Sequence, residues 1–573
     1  MGSVLSALRA AAKTVGAVAK LLLDLNKQYQ ALLVRVNDAP GLPHASPSSP
    51  YWLDDPPFPE LVDARSEALP AEADVVIIGS GITGVAVARS LLSDAVVGAG
   101  GVGTDGEEED DGEKKKKRNK KPRVVVLEAR ALCAGATGRN GGHVKASPHE
   151  LFPRLARNFG SEAAKRLLRF ALRTAEAVLE VGTGEGREVA ECRRVETVDF
   201  FLDEKGFEEG RRGAEELRGW LPEFEIRALG RAETRERFGV AADHVFGSLV
   251  YGAGALWPYR LVAKLWRELL DENAGVLSLE THTAVEAVEV DGDGGGARPY
   301  VVRTGRGAIR ARHVVHATNA HASQFLPGLR GKMAGVKAHM TAQRPDGARG
   351  EGFRWRDGSR SWSVMYGGGM FDYVTQRPNG DVMLGGGFAR SPGQGADMVG
   401  VYDDGGTEGL TVAHVSGVMG AVFGTGWRGS VTRVWSGILG VTGDMAPFVG
   451  RVPGSISGIG GRGKPIRFEA KGRRGKMVAA RATKVGDGGG DDEWTGAEAG
   501  QWVSAGYCGD GMVWAWLCGT ALAIMVSGKE GVVLEKGEGF PGGRLDEWFP
   551  KELLITEARV KKADLSNLVD EIL

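Results

Sequence analysis

The stretch Ala73-Asp74-Val75-Val76-Ile77-Ile78-Gly79-Ser80-Gly81-Ile82-Thr83-Gly84 carries a β-branched apolar run straight into Gly-x-Gly-x-x-Gly, then into a helical pattern from Val85 to Leu92. That order is what a dinucleotide pyrophosphate requires. Gly79 permits a tight turn, Gly81 lets the backbone approach phosphate without an intervening Cβ, and Gly84 lets helix and strand pack closely. The start of the helix, at Ile82 and Thr83, then presents unpaired N–H groups and the positive end of its dipole to the anion.

In a chain of 573 residues with 88 glycines, this triplet gains its meaning from context. A second strand, Arg123-Val124-Val125-Val126-Leu127-Glu128, ends in an acid suited to the ribose hydroxyls of an adenosine. Glu128 stands about 44 residues beyond Gly84, where the fingerprint expects roughly 20. The excess has a visible source. Residues 97–121 run through glycines, then Glu107 to Asp111, then Lys114 to Lys121, with no apolar periodicity. Removing about 25 residues as a disordered insertion restores the expected βαβ unit. The basic run resembles a nuclear-localisation or anionic-surface patch, but the acidic run before it makes a solvated loop the simpler reading.

Hydrophobic content of 42% and charged content of 25% are those of a globular protein long enough for two or three domains. A net charge of -1 argues against nucleic-acid or polyanion binding. Cys133, Cys192, Cys508 and Cys518 are widely spaced, which implies reduced thiols and no structural metal site, and points to the cytoplasm. The uncharged run Gly511 to Gly528 is too short and too interrupted for a membrane span and reads as a buried helix. Residues Val4 to Leu33 are helix-forming and basic until Asp24. They fit a surface helix packed on the body, a mitochondrial-type transit segment, or, with Gly2 and Ser6 as a myristoylation pattern, a peripheral membrane attachment.

The remaining pattern sets the expected domain order. A helix and linker (1–70) precede the first nucleotide-binding segment (71–150). Substrate-domain segments at 151–250 and 329–434 alternate with nucleotide-binding segments at 251–328 and 435–573. Residues 453–500 read as a second mobile insertion, being rich in Gly, Lys, Arg and Asp. The expected fold is α/β, α+β overall: a discontinuous Rossmann-like domain with an inserted mixed-sheet substrate domain.

The segment after Glu128, Ala129-Arg130-Ala131-Leu132-Cys133-Ala134-Gly135-Ala136-Thr137-Gly138-Arg139-Asn140-Gly141-Gly142-His143, resembles FAD-dependent oxidoreductases of the D-amino-acid oxidase superfamily. The similarity is to the glycine oxidase, sarcosine oxidase and gamma-glutamylputrescine oxidoreductase branch. Thr283-Ala284-Val285, Val315-His316-Ala317-Thr318-Asn319-Ala320, and Ala505-Gly506-Tyr507-Cys508-Gly509-Asp510-Gly511-Met512 match further motifs in order, as does Trp435-Ser436-Gly437 with the run to Gly450. The resemblance implies noncovalent FAD. Arg139 would pair with phosphate, Val285 would meet the adenine, Ala317 and Thr318 would close over the adenosine, and the helix opened by Gly511 would face the flavin N1 and O2 edge. His143 offers an alternative covalent link to the ring.

The resemblance also implies hydride transfer from an amine carbon to flavin, with oxygen or another acceptor reoxidising it. The imine product is then hydrolysed. His143, Tyr366, Tyr373 and Trp435 are the expected catalytic residues; Tyr251, Trp257, His339, Met370 and Phe371 are further pocket candidates, and Asp372 could receive an ammonium. Two other readings stay open: a nicotinamide-dependent dehydrogenase, and a flavin-bearing scaffold without turnover, suggested by Gly367-Gly368-Gly369 at an expected pocket wall.

Overall fold

Runs of Val and Ile that are buried on both faces form parallel strands with helices on either side. In the computed structural model the strand Glu72–Ile78 has six buried residues of seven and lies between Gly307–His316 and Val124–Leu127, parallel to both. The model describes residues 2–99, 120–291, 296–346, 357–367, 370–460, 464–465, 494 and 496–566. Most of each expected insertion, at 97–121 and 453–500, lies outside them, as do Gly368 and Gly369.

The first sheet continues through Gly500–Ala505 to an antiparallel edge at Phe448–Arg451 on one side, and through Leu277–Glu280 on the other. Its strands come from four distant regions of the chain. The helix Ile82–Leu92 is buried along almost its whole length because the carboxyl-terminal helix Ala515–Val526 lies across it. A Cβ on Gly519 would stand 2.9 Å from Ala86 Cβ and 3.0 Å from Thr83 O, so this crossing needs glycine.

The second sheet is mixed. Its order is Gly429–Thr442, Met333–Pro345, Val382–Gly386, Met370–Gln376, Arg360–Tyr366, Arg193–Phe201, Gly247–Ala255 and His143–Val144. Only Arg360–Tyr366 with Arg193–Phe201 is parallel among these pairs. The expected boundaries at 250/251 and 434/435 fall inside strands, because Gly247–Ala255 and Gly429–Thr442 each belong wholly to the second sheet.

The amino-terminal helix spans Gly2–Asn37. Its last two turns dock on the body: Leu32 and Val36 are buried among Val336, Met398, Val399 and Leu565, and Arg35 donates to Val399 O at 2.9 Å and Ala396 O at 2.7 Å. No helix among the described residues is long and apolar enough to cross a membrane.

Candidate active site

The turn after Ile78 is tight. Gly79 has φ +111°, its N–H donates to Leu127 O at 2.8 Å, and a Cβ there would lie 2.6 Å from Ala317 O. A Cβ on Gly84 would lie 2.0 Å from Gly79 O, so the third glycine lets the helix rise directly off the turn. Ile82 N donates to Thr137 Oγ1 at 3.0 Å, which joins the helix start to the loop after Glu128. Tyr507 completes this corner, its hydroxyl 2.9 Å from Thr83 Oγ1 and 2.7 Å from Ser504 Oγ.

A cavity of about 430 Å³ runs from this turn to the second sheet. Gly79, Gly81, Ile82, Thr83, Glu128, Ala129, Arg130, Thr137, Arg139, Asn140, Gly141 and His143 line it. From the later segments Val285, Ala317, Thr318, Gly509, Asp510, Gly511 and Met512 also line it. Gly84, Gly138, Gly142 and Gly506 stand behind the wall, each where a Cβ would press within 2.5 Å of a neighbouring atom. They shape the cavity by allowing close approach.

Several expected roles are corrected by the geometry. Arg139 is spent within the protein: it donates to Ala134 O, Ser436 O and Ser48 O at 2.7–2.9 Å and lies 3.2 Å from Asp404. It therefore ties the linker before the first strand to the loop, in place of pairing with phosphate. Trp435 is fully buried and donates Nε1 to Arg139 O at 2.8 Å, so it braces that loop from behind. Tyr366 donates to Asp372 Oδ2 at 2.7 Å, and His414 Nε2 is 2.8 Å from the same oxygen. Neither Tyr366 nor Asp372 lines the cavity, since side chains alternate along Met370–Gln376 and only Phe371 and Tyr373 face it. Tyr251, Trp257, His339 and Met370 likewise lie off the wall. The carboxyl-terminal helix begins at Ala515; the lining residues Gly511 and Met512 sit on a separate short turn, Gly511–Val513, before it.

His143 lines the chamber and its Nε2 lies 2.9 Å from Ser361 Oγ. Burial, reinforced by the charge of Lys145, pushes its pKa down to about 3, so the ring is neutral. Tyr373 packs against Gly141, where a Cβ would come within 2.7 Å of Cε2, and donates to Met340 Sδ at 3.1 Å.

A polar group that sequence reading missed stands at this end. Lys145 donates to Asp199 and, at 2.6 Å, to Ser363 Oγ. Asp199 is fully buried, with the Tyr251 hydroxyl 2.7 Å from Oδ2 and His149 Nε2 at 3.3 Å. Burial opposes ionisation of Asp199, but the charge of Lys145 and the neighbouring His149 outweigh it and hold the carboxyl well below the usual range. Glu150, also on the wall, is pushed up by burial. Arg154 pairs with Asp510 at 2.7 Å. Lys145 sits two residues beyond His143, but nothing local marks its partners at 199 and 363. Asp199→Ala would leave a buried, unpaired ammonium and is expected to cost about 3–5 kcal/mol. Urea unfolding of this variant and of Asp199→Ala/Lys145→Met, which should recover much of the loss, checks that coupling.

A dinucleotide groove that opens at the carboxyl ends of a parallel sheet onto a chamber walled by a second sheet is the layout of a nucleotide-dependent oxidoreductase. The chain belongs to the DAO family of FAD-dependent oxidoreductases, whose sequence pattern matches residues 74–525. Similar solved structures include glycine oxidase from Geobacillus kaustophilus, 18% identical over 80% of this chain and 96% of that one, with TM-score 0.51. L-Proline dehydrogenase from P. horikoshii is 17% identical over 84% and 98%, TM-score 0.53. L-Amino acid deaminase from Proteus vulgaris, with its specific insertion deleted, is 15% identical over 84% and 97%, TM-score 0.53. At such identities these show a shared fold. No match was found among curated protein sequences.

The residues present suit FAD, the family's cofactor. Thr318 Oγ1 and Arg130 Nε are buried on the cavity wall with no hydrogen-bond partner among the described residues, and such atoms call for a polar ligand. Glu128 Oε2 is fixed by Ser80 N and Oγ at 3.1 and 2.7 Å, which holds the carboxylate in place on the cavity wall. The glycine turn and the helix start, where Ile82 N is already taken by Thr137 Oγ1, border the cavity beside these atoms.

Proposed function

We propose that the protein oxidises the CH–NH bond of an amine or amino acid taken up as the neutral amine. What supports this reading is the charge balance of the chamber. At the end walled by the second sheet, the cations Lys145 and Arg154 are each paired with a carboxylate, Asp199 and Asp510. The space beside them is walled by Phe371, Tyr373 and Met340. A neutral amine enters such a space with little desolvation cost, and the acid on this wall outside those two pairs, Glu150, is one whose charged form burial disfavours.

FAD supplies the two-electron acceptor for a hydride leaving the carbon beside nitrogen. The chain's own contribution is placement. Tyr373, held between Gly141 and Gly385, and Met340 restrict the approach of substrate and exclude water. His143, kept neutral, can accept or donate one hydrogen bond without adding charge. The product imine is hydrolysed by water.

Anaerobic mixing of the holoprotein with panels of primary amines, secondary amines and α-amino acids tests the reading. The visible flavin bands should bleach, with a rate that rises as pH approaches the pKa of the substrate ammonium. Bands that respond to dithionite but to no amine would overturn it and favour the scaffold. Acid precipitation is expected to leave the flavin in the supernatant, as noncovalent binding requires; colour kept in the pellet would bring forward a link through His143.

A further inference from the structure

Between the amino-terminal helix and the first strand, the chain crosses the edge of the cofactor cavity, and it is pinned on both sides of the crossing. Before it, Leu32 and Val36 are buried against the body, and Gly331 N donates to Val36 O at 2.9 Å. After it, Ser48 is gripped from three directions: its N donates to Asp404 O at 2.8 Å, its Oγ accepts from Ser436 N at 3.0 Å, and its carbonyl accepts from Arg139 at 2.7 Å. The buried Trp52 then donates its ring N–H to Asn140 O and accepts from Trp257 Nε1 at 2.8 Å.

The stretch between these anchors is held lightly. From residue 39 to residue 47, the hydrogen bonds to the body among the described residues are three: Gly41 N to Gln324 Oε1 at 2.9 Å, His321 Nδ1 with Gly41 O at 3.4 Å, and Arg130 to His44 O at 3.3 Å. An exposed pair, His44 and Asp403 at 3.8 Å, adds little. Pro40, Pro43 and Pro47 have no N–H to offer a neighbour, and their fixed φ stiffens the path. Yet Gly41, Leu42 and Pro43 form part of the cavity wall. They stand beside the two buried atoms that lack a partner: Arg130, whose Nε is one of them, reaches His44 O, and His321, which meets Gly41 O, donates its N–H at 3.0 Å to the carbonyl of Thr318, whose Oγ1 is the other. Leu42 lines the cavity and is still 48% exposed, which puts it at the border between interior and solvent.

We propose that residues 39–47 are a strap over the cofactor site: bound FAD is covered by Gly41, Leu42 and Pro43, and the lightly held middle of the strap lifts to let the cofactor in or out while the anchors at Val36, Ser48 and Trp52 stay in place. A segment that only connected helix to strand would leave the cavity wall to the two sheets and their loops. Here three consecutive residues of the connection supply it, next to the polar atoms that await a ligand. Gating by a segment anchored at both ends limits the rate at which a ligand leaves. The strap rests on the family's cofactor and is independent of the substrate that reduces it.

Cutting the strap in the folded holoprotein tests this. Ala45 and Ser46 are both exposed, so a recognition sequence for a specific protease inserted between them is open to cleavage after the flavin is bound. In FAD-free buffer, flavin release followed by ultrafiltration and visible absorbance should be about tenfold faster or more once the strap is cut, with the circular dichroism spectrum unchanged. The uncut insertion protein should release flavin as the wild type does. Leu42→Gly removes a half-exposed side chain and leaves every anchor in place, and should speed release about threefold or more without lowering the Tm of the apoprotein. Release indifferent to the cut overturns the strap, as does release that quickens only in step with a fall in apoprotein Tm. Failure of every amine to bleach the flavin would leave this outcome untouched, because release is read without turnover.

Discussion

Gly84→Ala is expected to yield a protein without flavin. The new Cβ would stand 2.0 Å from Gly79 O, and both atoms belong to backbone that cannot swing aside. Relief requires the helix Ile82–Leu92 to lift from the strand Glu72–Ile78. That helix is also gripped by Ala515–Val526, which approaches Ala86 and Thr83 through Gly519. Overpacking of this kind costs on the order of 3 kcal/mol or more and displaces the helix start that receives the pyrophosphate. The visible spectrum after purification, and after incubation with excess FAD, checks the outcome. A yellow variant with ordinary affinity would show that the turn can relax. Ser80→Ala is a useful contrast, since it removes the hydroxyl's bonds to Glu128 and from Cys133 N but adds no atom to the turn.

The second large effect is acid instability. His313 and His316 are fully buried and His339 is 2% exposed. His313 Nδ1 accepts from Trp502 Nε1 at 3.1 Å, and His339 Nε2 accepts from Glu408 N at 2.9 Å, so both rings use a lone pair that a proton would take. Burial, aided by neighbouring Arg312 and Arg451, pushes His313 down to about 3; burial alone pushes His316 down to about 4. Burial and then Lys337 push His339 down to about 4. An unfolded histidine titrates near 6.5, so between about pH 6.5 and 4 the unfolded chain binds protons that the native state refuses.

Stability is therefore complete above about pH 6.5 and falls as pH drops toward the folded values. Each ring contributes on the order of 3 kcal/mol to that fall, against a typical total stability of about 5–15 kcal/mol. At pH 5 the three rings together have cost about 6 kcal/mol and at pH 4 about 10, so unfolding is expected between about pH 5 and 4, and far-ultraviolet circular dichroism on acid titration reads it directly. His339→Gln keeps an acceptor for Glu408 N without a titrating ring and should move the midpoint to lower pH. A flat profile down to pH 4 would contradict the assignment of these rings as neutral.

What could be read from sequence was local. The strand, turn and helix around Gly79 to Gly84 adjoin in the chain, so their spacing alone carries their geometry. The alternating segment Phe371-Asp372-Tyr373 is equally local, but which side faces the cavity depends on the sheet's neighbours, and Asp372 turns to Tyr366 and His414 instead. Arg139 looked like a phosphate ligand because its partners Ser48, Ser436 and Asp404 lie 91, 297 and 265 positions away. The Lys145, Asp199 and Ser363 group has the same character: two polar residues on separate strands and one just past a third, meaningful only once the second sheet is assembled. Trp435, conspicuous as an aromatic beside glycine, braces a loop because its strand turns that ring inward.

The first sheet interleaves strands from both ends of the chain, and this has a consequence during synthesis. Glu72–Ile78 and Ile82–Leu92 leave the ribosome early, yet the helix that covers the latter ends at Val526. At translation rates of about 5–20 residues per second, that interval lasts on the order of 20–90 s. Throughout it, the apolar face that Ala515–Val526 will cover has no native partner. A nascent chain stalled before Gly500 lacks both a sheet strand and the covering helix, which makes it a natural client for chaperones and an early target for proteolysis.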